Sequence, residues 1–469
     1  MTATPTWAST TSAATQARAI AVVTSQRAGA RCRSCASACG SLTRGDYREA
    51  VLTPGPVPRS VVVVGAGLAG SQTVAALRAQ GFDGHVTVLG AEGLAPYDRP
   101  PLSKELLTRS EPAWLRDELG TDLDLADDVR LDEPATALDH DADGVTVQTS
   151  PGGSGDPREV RGDVVVLATG SGASRPWPEA LTLHAAADAA RLRESLVPGA
   201  RLVVVGAGWI GAEVAGVAAA AGVEVTVVEG ALAPLSTALG AEVGALTAAW
   251  YEPAGVRLLT SSTVAAVQAD HVDLADGTRL EADVVLAAVG ARPRSGWIGA
   301  ALPLEADGSL AVDDRYRVLA PQGPLDRVLA VGDLARRRSA RHGWVPGGHW
   351  DGALRGPAVA VRALLEPEAP VEDLAPYVFS TQLGHELACY GLPGAADEVV
   401  LRGAPAGAGD GFTALWFAPG TDRLTAVLAV DRPRDVAAAR KLFAGPTLPT
   451  VDRPRAADPA TPLRTALLP

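Results

Sequence analysis

From Pro58 onward the chain falls into short apolar runs closed by glycine, alternating with Ala-rich stretches of helical period. Val61–Val64 is too short for a helix and is all β-branched, so it predicts a strand buried on both faces. Gly65, Gly67 and Gly70 follow in G-x-G-x-x-G spacing. Ser71–Ala79 predicts a helix that Gly81 ends, Val86–Leu89 predicts the next strand, and Glu92 stands just beyond it. The same order returns 141 residues later, counted from Gly65 to Gly206. There "RLVVV" leads into Gly206, Gly208 and Gly211, then a helical stretch, then a strand closed by Glu229. The runs "DVVVLATGSG" (Asp163–Gly172) and "DVVLAAVGARPR" (Asp283–Arg294) bracket this second copy, and "RVLAVGDLA" (Arg327–Ala335) carries Asp333 near its end. From about Val371 the period shortens to two, in "YVFSTQLGHELACYG", "DEVVLRGAP", "FTALWFAP" and "RLTAVLAVDRP", which predicts an antiparallel sheet followed by a helix at "RDVAAARKLFAG".

One G-x-G-x-x-G is a weak signal; two complete strand–turn–helix–strand units are a strong one. The first glycine makes the tight turn, the second admits a pyrophosphate, and the third lets helix and strand touch. The free amides at the helix N-terminus then face an anion, and the acid after the second strand accepts from ribose hydroxyls. Two units predict two dinucleotides. Glu229 is followed by Gly230 with no arginine behind it, so the second site favours NADH over NADPH. In the first site Ala91 precedes Glu92, which is the only nearby acid for a ribose.

The expected fold is α/β: two Rossmann-like domains, the second inserted in the first, plus a C-terminal α+β domain with an antiparallel sheet. The boundaries expected are 58–175 with 295–370 for the first domain, 176–294 for the second and 371–469 for the third. Residues 1–57 are expected to be a disordered or spurious tail. The first 50 residues hold six arginines against Asp46 and Glu49 and lack apolar periodicity. A transit peptide, or a metal site at Cys32, Cys35 and Cys39, are the competing readings.

Charge narrows the function. A net charge of −13 argues against a nucleic-acid binder, and no apolar run approaches the ~20 residues that cross a bilayer. After Gly40 the only thiol is Cys389, which fits a reducing cytoplasm and excludes a catalytic disulfide. The histidines show no metal-ligand spacing, so no metal is expected.

Of 41 basic residues only Lys104 and Lys441 are lysine. Lys104 stands in "PYDRPPLSKELL", where Ser103 could cap a helix and Lys104 could be an ordinary solvated residue. Set among two dinucleotide units, the "VGD" strand end and the C-terminal sheet, this stretch resembles the signature of the NADH-dependent ferredoxin reductases, which are two-dinucleotide flavoproteins. The resemblance covers Pro58 to the C-terminus.

Several roles are implied by it. Gly65, Gly67 and Gly70 would hold the FAD pyrophosphate, with Glu92 at the ribose. Arg99, Pro101 and Lys104 would line the flavin side, Arg175 would contribute near the first strand crossing, Asp333 would bind the ribityl chain and Trp350 would lie by the flavin ring. Gly206, Gly208, Gly211 and Glu229 would hold NADH. Lys104, paired with Glu213, and Trp350 would be the catalytic groups. The chain departs from the pattern at Gly348 and Gly352, which replace a Glu and an Asn, at Ser171-Gly172-Ala173, and at Phe379, which replaces a Trp. The implied reaction is hydride transfer from NADH to FAD, then single-electron transfer to an iron–sulfur ferredoxin, by a monomer or homodimer. An NADH oxidase or quinone reductase, or a redox-regulated binding module, are the alternatives. Arg336, Arg337, Arg338 and Arg341 are the candidate basic docking patch for an acidic ferredoxin, with an ordinary solvated loop as the alternative reading.

Overall fold

The computed structural model describes residues 58–405 and 411–468. The expected tail, with Cys32, Cys35 and Cys39, lies outside the described residues. The first unit contains β1 (Ser60–Val64), α1 (Leu68–Ala79), β2 (His85–Leu89), the short α2 (Pro101–Lys104), β3 (Asp128–Arg130) and β4 (Val164–Leu167). The second contains β5 (Arg201–Val205), α3 (Trp209–Ala220), β6 (Glu224–Val228), β7 (Val256–Leu259) and β8 (Val284–Ala287). The chain then returns through β9 (Gly323–Ala330) and α4 (Trp350–Leu365).

Strand pairing shows the insertion. β3, β2, β1, β4 and β9 are neighbours in that order, all parallel, within one larger sheet. Between β4 and β9 the chain builds a separate parallel sheet in the order β7-β6-β5-β8. Val61, Val62, Val63 and Val64 are buried on both faces, as a parallel strand covered by helices must be. Gly65 adopts φ +118°, and a Cβ there would strike the Ala168 carbonyl at the end of β4. At Gly70 a Cβ would strike the Gly65 carbonyl oxygen, so only glycine lets α1 start this close to its strand. Gly206 and Gly211 repeat both constraints in the second unit.

The C-terminal part forms an antiparallel sheet of β10 (Tyr377–Gln382), β11 (His385–Gly391), β12 (Glu398–Gly403), β13 (Phe412–Phe417) and β14 (Leu424–Val430), in the order β10-β11-β14-β13-β12. One face packs Leu415 and Phe417 against Ala439 and Leu442 of α5 (Pro433–Leu442). The other packs Trp416 and Leu428 with Leu235, Leu239 and Trp250 of the second unit. No helix among the described residues is long and apolar enough to cross a membrane.

The expected four-arginine patch is not a continuous surface. Ala335–Ser339 is a strand rather than a loop, so neighbouring side chains point to opposite faces. Arg337 turns inward, where Nη1 lies 2.8 Å from Asp373 Oδ1 and Nη2 donates to the Leu374 carbonyl at 2.7 Å. Arg341 is also buried, donating to the carbonyls of Phe443 and Gly445 at 2.8 Å each. Only Arg336 and Arg338 stay outside, both over the Trp344 ring at 5.2 and 5.3 Å from its centre, and Arg336 is paired with Glu305. Replacing Arg337 by Glu would bury a second carboxylate beside Asp373. Denaturant unfolding should show a loss of about 3–5 kcal/mol for R337E and within about 0.5 kcal/mol for R338E.

Candidate active site

A cavity of about 1110 Å³ runs from the first glycine turn to the second, lined by Gly65 and Gly67 at one end and Gly206 and Gly208 at the other. It exceeds the ~300–1,000 Å³ of ordinary small-molecule sites, as a place for two dinucleotides should. A Cβ on Gly67 or Gly208 would meet nothing within 4 Å. These two residues precede α1 and α3 without any side-chain cap, so the first amides of each helix are left for an anion. Trp297 Nε1 and His349 Nε2 are buried without a hydrogen-bond partner among the described residues, and both residues line the cavity. An unpaired indole N–H and an unpaired imidazole nitrogen beside a cavity suit a ligand that carries polar atoms. The residues present therefore fit a flavin nucleotide and a nicotinamide nucleotide.

At the second turn, Glu229 Oε2 accepts from the Ala207 amide at 2.7 Å and Oε1 from the Ala231 amide at 2.8 Å. These bonds hold the carboxylate at the cavity wall while leaving each oxygen a further lone pair. Glu92 also lines the cavity, and its oxygens accept from Arg99 Nη2 and the Tyr97 hydroxyl, each at 2.7 Å, which likewise leaves each a further lone pair. Arg99 Nη1 continues to the His184 carbonyl at 2.6 Å. Burial, aided by Glu92 and opposed by Arg99, pushes the Tyr97 hydroxyl up to about 12. Burial, with Arg99 and Arg294 nearby, pushes His184 down to about 4, so its ring is neutral at pH 7. Asp333 sits at the turn after β9, where it accepts from Ser171 Oγ at 2.7 Å and from the Gly348 amide at 3.2 Å.

Lys104 ends α2, and its Nζ lies 2.6 Å from Glu213 Oε1 on α3. The Glu213 side chain is 4% exposed and that of Lys104 19%, so the pair is screened from solvent. Glu213 also accepts from Ser103 Oγ of α2 and from Ser380 Oγ of β10. Gln382 donates to Ser380 Oγ at 3.1 Å, which completes the network. Beside it, Lys104 Nζ stands 5.3 Å from the Phe379 ring centre, and Phe379 meets Trp350 edge-on at 5.7 Å. The isolated lysine thus faces the cavity between the two glycine turns.

Some expected residues lie elsewhere. Arg175 does not line the cavity: its side chain is 62% exposed and pairs with Asp188. Arg294, from the second strand crossing, is on the wall instead. Pro101 opens α2 without reaching the cavity, whereas Pro100 does reach it. Gly70 and Gly211 serve packing and do not line it. Ser103 is not a helix cap, because α2 starts two residues earlier and Ser103 is buried on Glu213. The sequence assigns no role to Ser380, Asp98 or His184. Ser103, Asp98 and Ser380 all stand beside motif residues in the sequence, but only the folded contacts give them partners. Nothing in the local pattern singles out Arg294 or His184.

The matched family models are pyridine nucleotide-disulphide oxidoreductase over residues 59–355 and reductase C-terminal over residues 377–467. The chain is 33% identical to the ferredoxin–NAD(+) reductase component of an anthranilate 1,2-dioxygenase system from Burkholderia cepacia, covering 87% of this chain and 98% of that protein. It is 31% identical to putidaredoxin reductase from Pseudomonas putida, covering 80% of this chain and 89% of that one. Among solved structures, a covalent putidaredoxin reductase–putidaredoxin complex superposes with a TM-score of 0.77 at 29% identity, over 87% of this chain and 98% of that one. The cofactors of such proteins are a flavin and a pyridine nucleotide. With its two glycine turns on one cavity and its antiparallel C-terminal sheet, the chain belongs to the pyridine nucleotide-disulphide oxidoreductase family, in the branch of the ferredoxin–NAD(+) reductases.

Proposed function

We propose that the chain binds FAD at the first glycine turn and NADH at the second, takes hydride from NADH, and delivers single electrons to an iron–sulfur ferredoxin of an oxygenase system in the cytoplasm. In this reading 58–175 and 295–370 form the FAD domain, 176–294 the NADH domain and 371–469 the C-terminal domain. The observation that carries it is the Lys104–Glu213 pair, which joins the two dinucleotide units on the wall of the shared cavity. A bound flavin supplies the exchange between two-electron and one-electron transfer.

The side chains have separable tasks. Gly65, Gly67 and the α1 amides cradle the FAD diphosphate, Asp333 meets the ribityl hydroxyls, and Arg99, anchored on Glu92, closes that wall. Lys104 offers a compact cation where negative charge gathers on reduction, and a guanidinium is too broad for its place. Glu213 aims Lys104, and Ser103 and Ser380 hold Glu213 in turn. Trp350 and Phe379 keep water from the flavin side. Gly206, Gly208 and the α3 amides hold the NADH diphosphate, while Glu229 accepts from the ribose and repels a 2′-phosphate. Thiol exchange has no part. Cys389 is the free cysteine among the described residues, and burial pushes its thiol up to about 12.

Purified protein should be yellow, and NADH should bleach it far faster than NADPH. Glu229→Ala should narrow that preference by about tenfold, read as the ratio of kcat/KM values. Lys104→Met and Glu213→Gln should each slow bleaching by about tenfold or more, and the double variant should be little worse than either single one, because the residues act as a unit. Cytochrome c reduction by NADH should rise strongly when ferredoxin is added. Equal rates with and without ferredoxin would reject the electron-transfer reading in favour of an oxidase.

A further inference from the structure

Asp98 has no role in the account above. It ends the two-residue strand Tyr97–Asp98, is 3% exposed and lines the cavity. Its Oδ1 accepts from Trp350 Nε1 at 2.7 Å, across 252 residues of chain. Trp350 is the first residue of α4, where little local structure holds the ring. Its aromatic neighbour is Phe379, at an interplanar angle of 88°. An edge-on contact tolerates rotation and sliding of either ring. A hydrogen bond to the single indole donor does not, because it fixes where the N–H edge points.

The acceptor is a costly choice if orientation were all it supplied. A carboxylate at this depth is poorly solvated. Burial pushes Asp98 up to about 6; the Trp350 bond opposes this, Glu118 adds to it, and the Arg99 amide and Lys104 oppose it. Glu118 is itself tied to Arg109 at 3.0 Å, and Lys104 to Glu213. A neutral amide would satisfy the indole without that penalty. What the carboxylate adds is a bond whose strength depends on its charge: charge-assisted when ionised, ordinary when protonated.

We propose that Asp98 is the positioning residue for Trp350, setting the indole plane on the flavin-side wall of the cavity through the Nε1–Oδ1 hydrogen bond. The proposal rests on the reading that Trp350 bounds the flavin. Above pH 6 the ionised Asp98 grips the indole; below it the grip slackens.

The hydrogen bond can be read without turnover. In holoprotein with ¹⁵N-labelled tryptophan, nine indole signals are expected, one per tryptophan, and Trp350→Phe identifies the one that disappears. That signal should titrate with a midpoint near pH 6. In Asp98→Asn it should keep a bonded shift but lose the midpoint, and in Asp98→Leu it should move toward a free indole and exchange faster with solvent. The rate of NADH-driven bleaching should fall about tenfold in Asp98→Leu with KM changing less than about twofold. Asp98→Asn should recover most of that loss, and Asp98→Leu combined with Trp350→Phe should be no slower than the slower single variant. A Trp350 signal that ignores both Asp98 substitutions would overturn the proposal. So would rate losses that multiply in the double variant, since Asp98 would then act by another route. If wild-type protein held no flavin but the indole still titrated, the hydrogen-bond lock would stand and the flavin reading would fall.

Discussion

The site depends on one buried carboxylate. Glu213 is almost wholly excluded from water, and an isolated charge there would cost several kcal/mol. It is tolerated because its oxygens receive Lys104, Ser103 and Ser380. Those donors come from the first unit and the C-terminal sheet, while Glu213 belongs to the second unit. The interaction that satisfies the charge therefore also sets the relative placement of three parts of the chain. It fixes the ammonium at the cavity wall at the same time. A core of Val and Ala can assemble each sheet, but apolar packing has no directional preference strong enough to specify this alignment.

Much of the fold was legible because parallel strands buried on both faces leave an unmistakable trace. Val61–Val64, Val164–Leu167, Arg201–Val205 and Val284–Ala287 read as buried parallel strands, and the glycines between strand and helix are imposed by backbone contacts. The site was legible where its residues sit in those turns. It was less so where function depends on tertiary partners. Ser103 read as a helix cap because its neighbours look like a helix start, yet α2 begins at Pro101 and turns the hydroxyl inward. Arg175 and Arg294 follow the two strands of one small antiparallel crossing, and no local pattern says which of them meets the cavity. The arginine-rich segment failed for a similar reason: a short strand of polar residues carries no apolar alternation, so its inward face is hidden in the sequence.

The C-terminal sheet contributes more than a lid. Its β10 supplies Phe379 and Ser380 on adjacent positions, one toward the aromatic wall and one toward Glu213. Its opposite strands are secured from behind by α5 and by the buried Arg402, which spans Asp435 and the carbonyls of Ala456 and Thr461. Phe379 meets Trp350 edge-on, and Gly348 and Gly352 leave open space beside the start of α4.

The crossing of Ser171–Ala173 with Ala291–Pro293 is the covalent link by which the second unit joins the first. Two thin strands of this kind ordinarily behave as a pivot. Here the pivot is braced, because Trp250 stacks on His385 at 4.3 Å and Leu383 lies against Gly216, so the second unit is wedged between its own tether and the antiparallel sheet. Any wide swing of that unit would have to drag the sheet along or strip those contacts. A nucleotide entering or leaving the cavity would therefore pass a wall that these contacts hold in place.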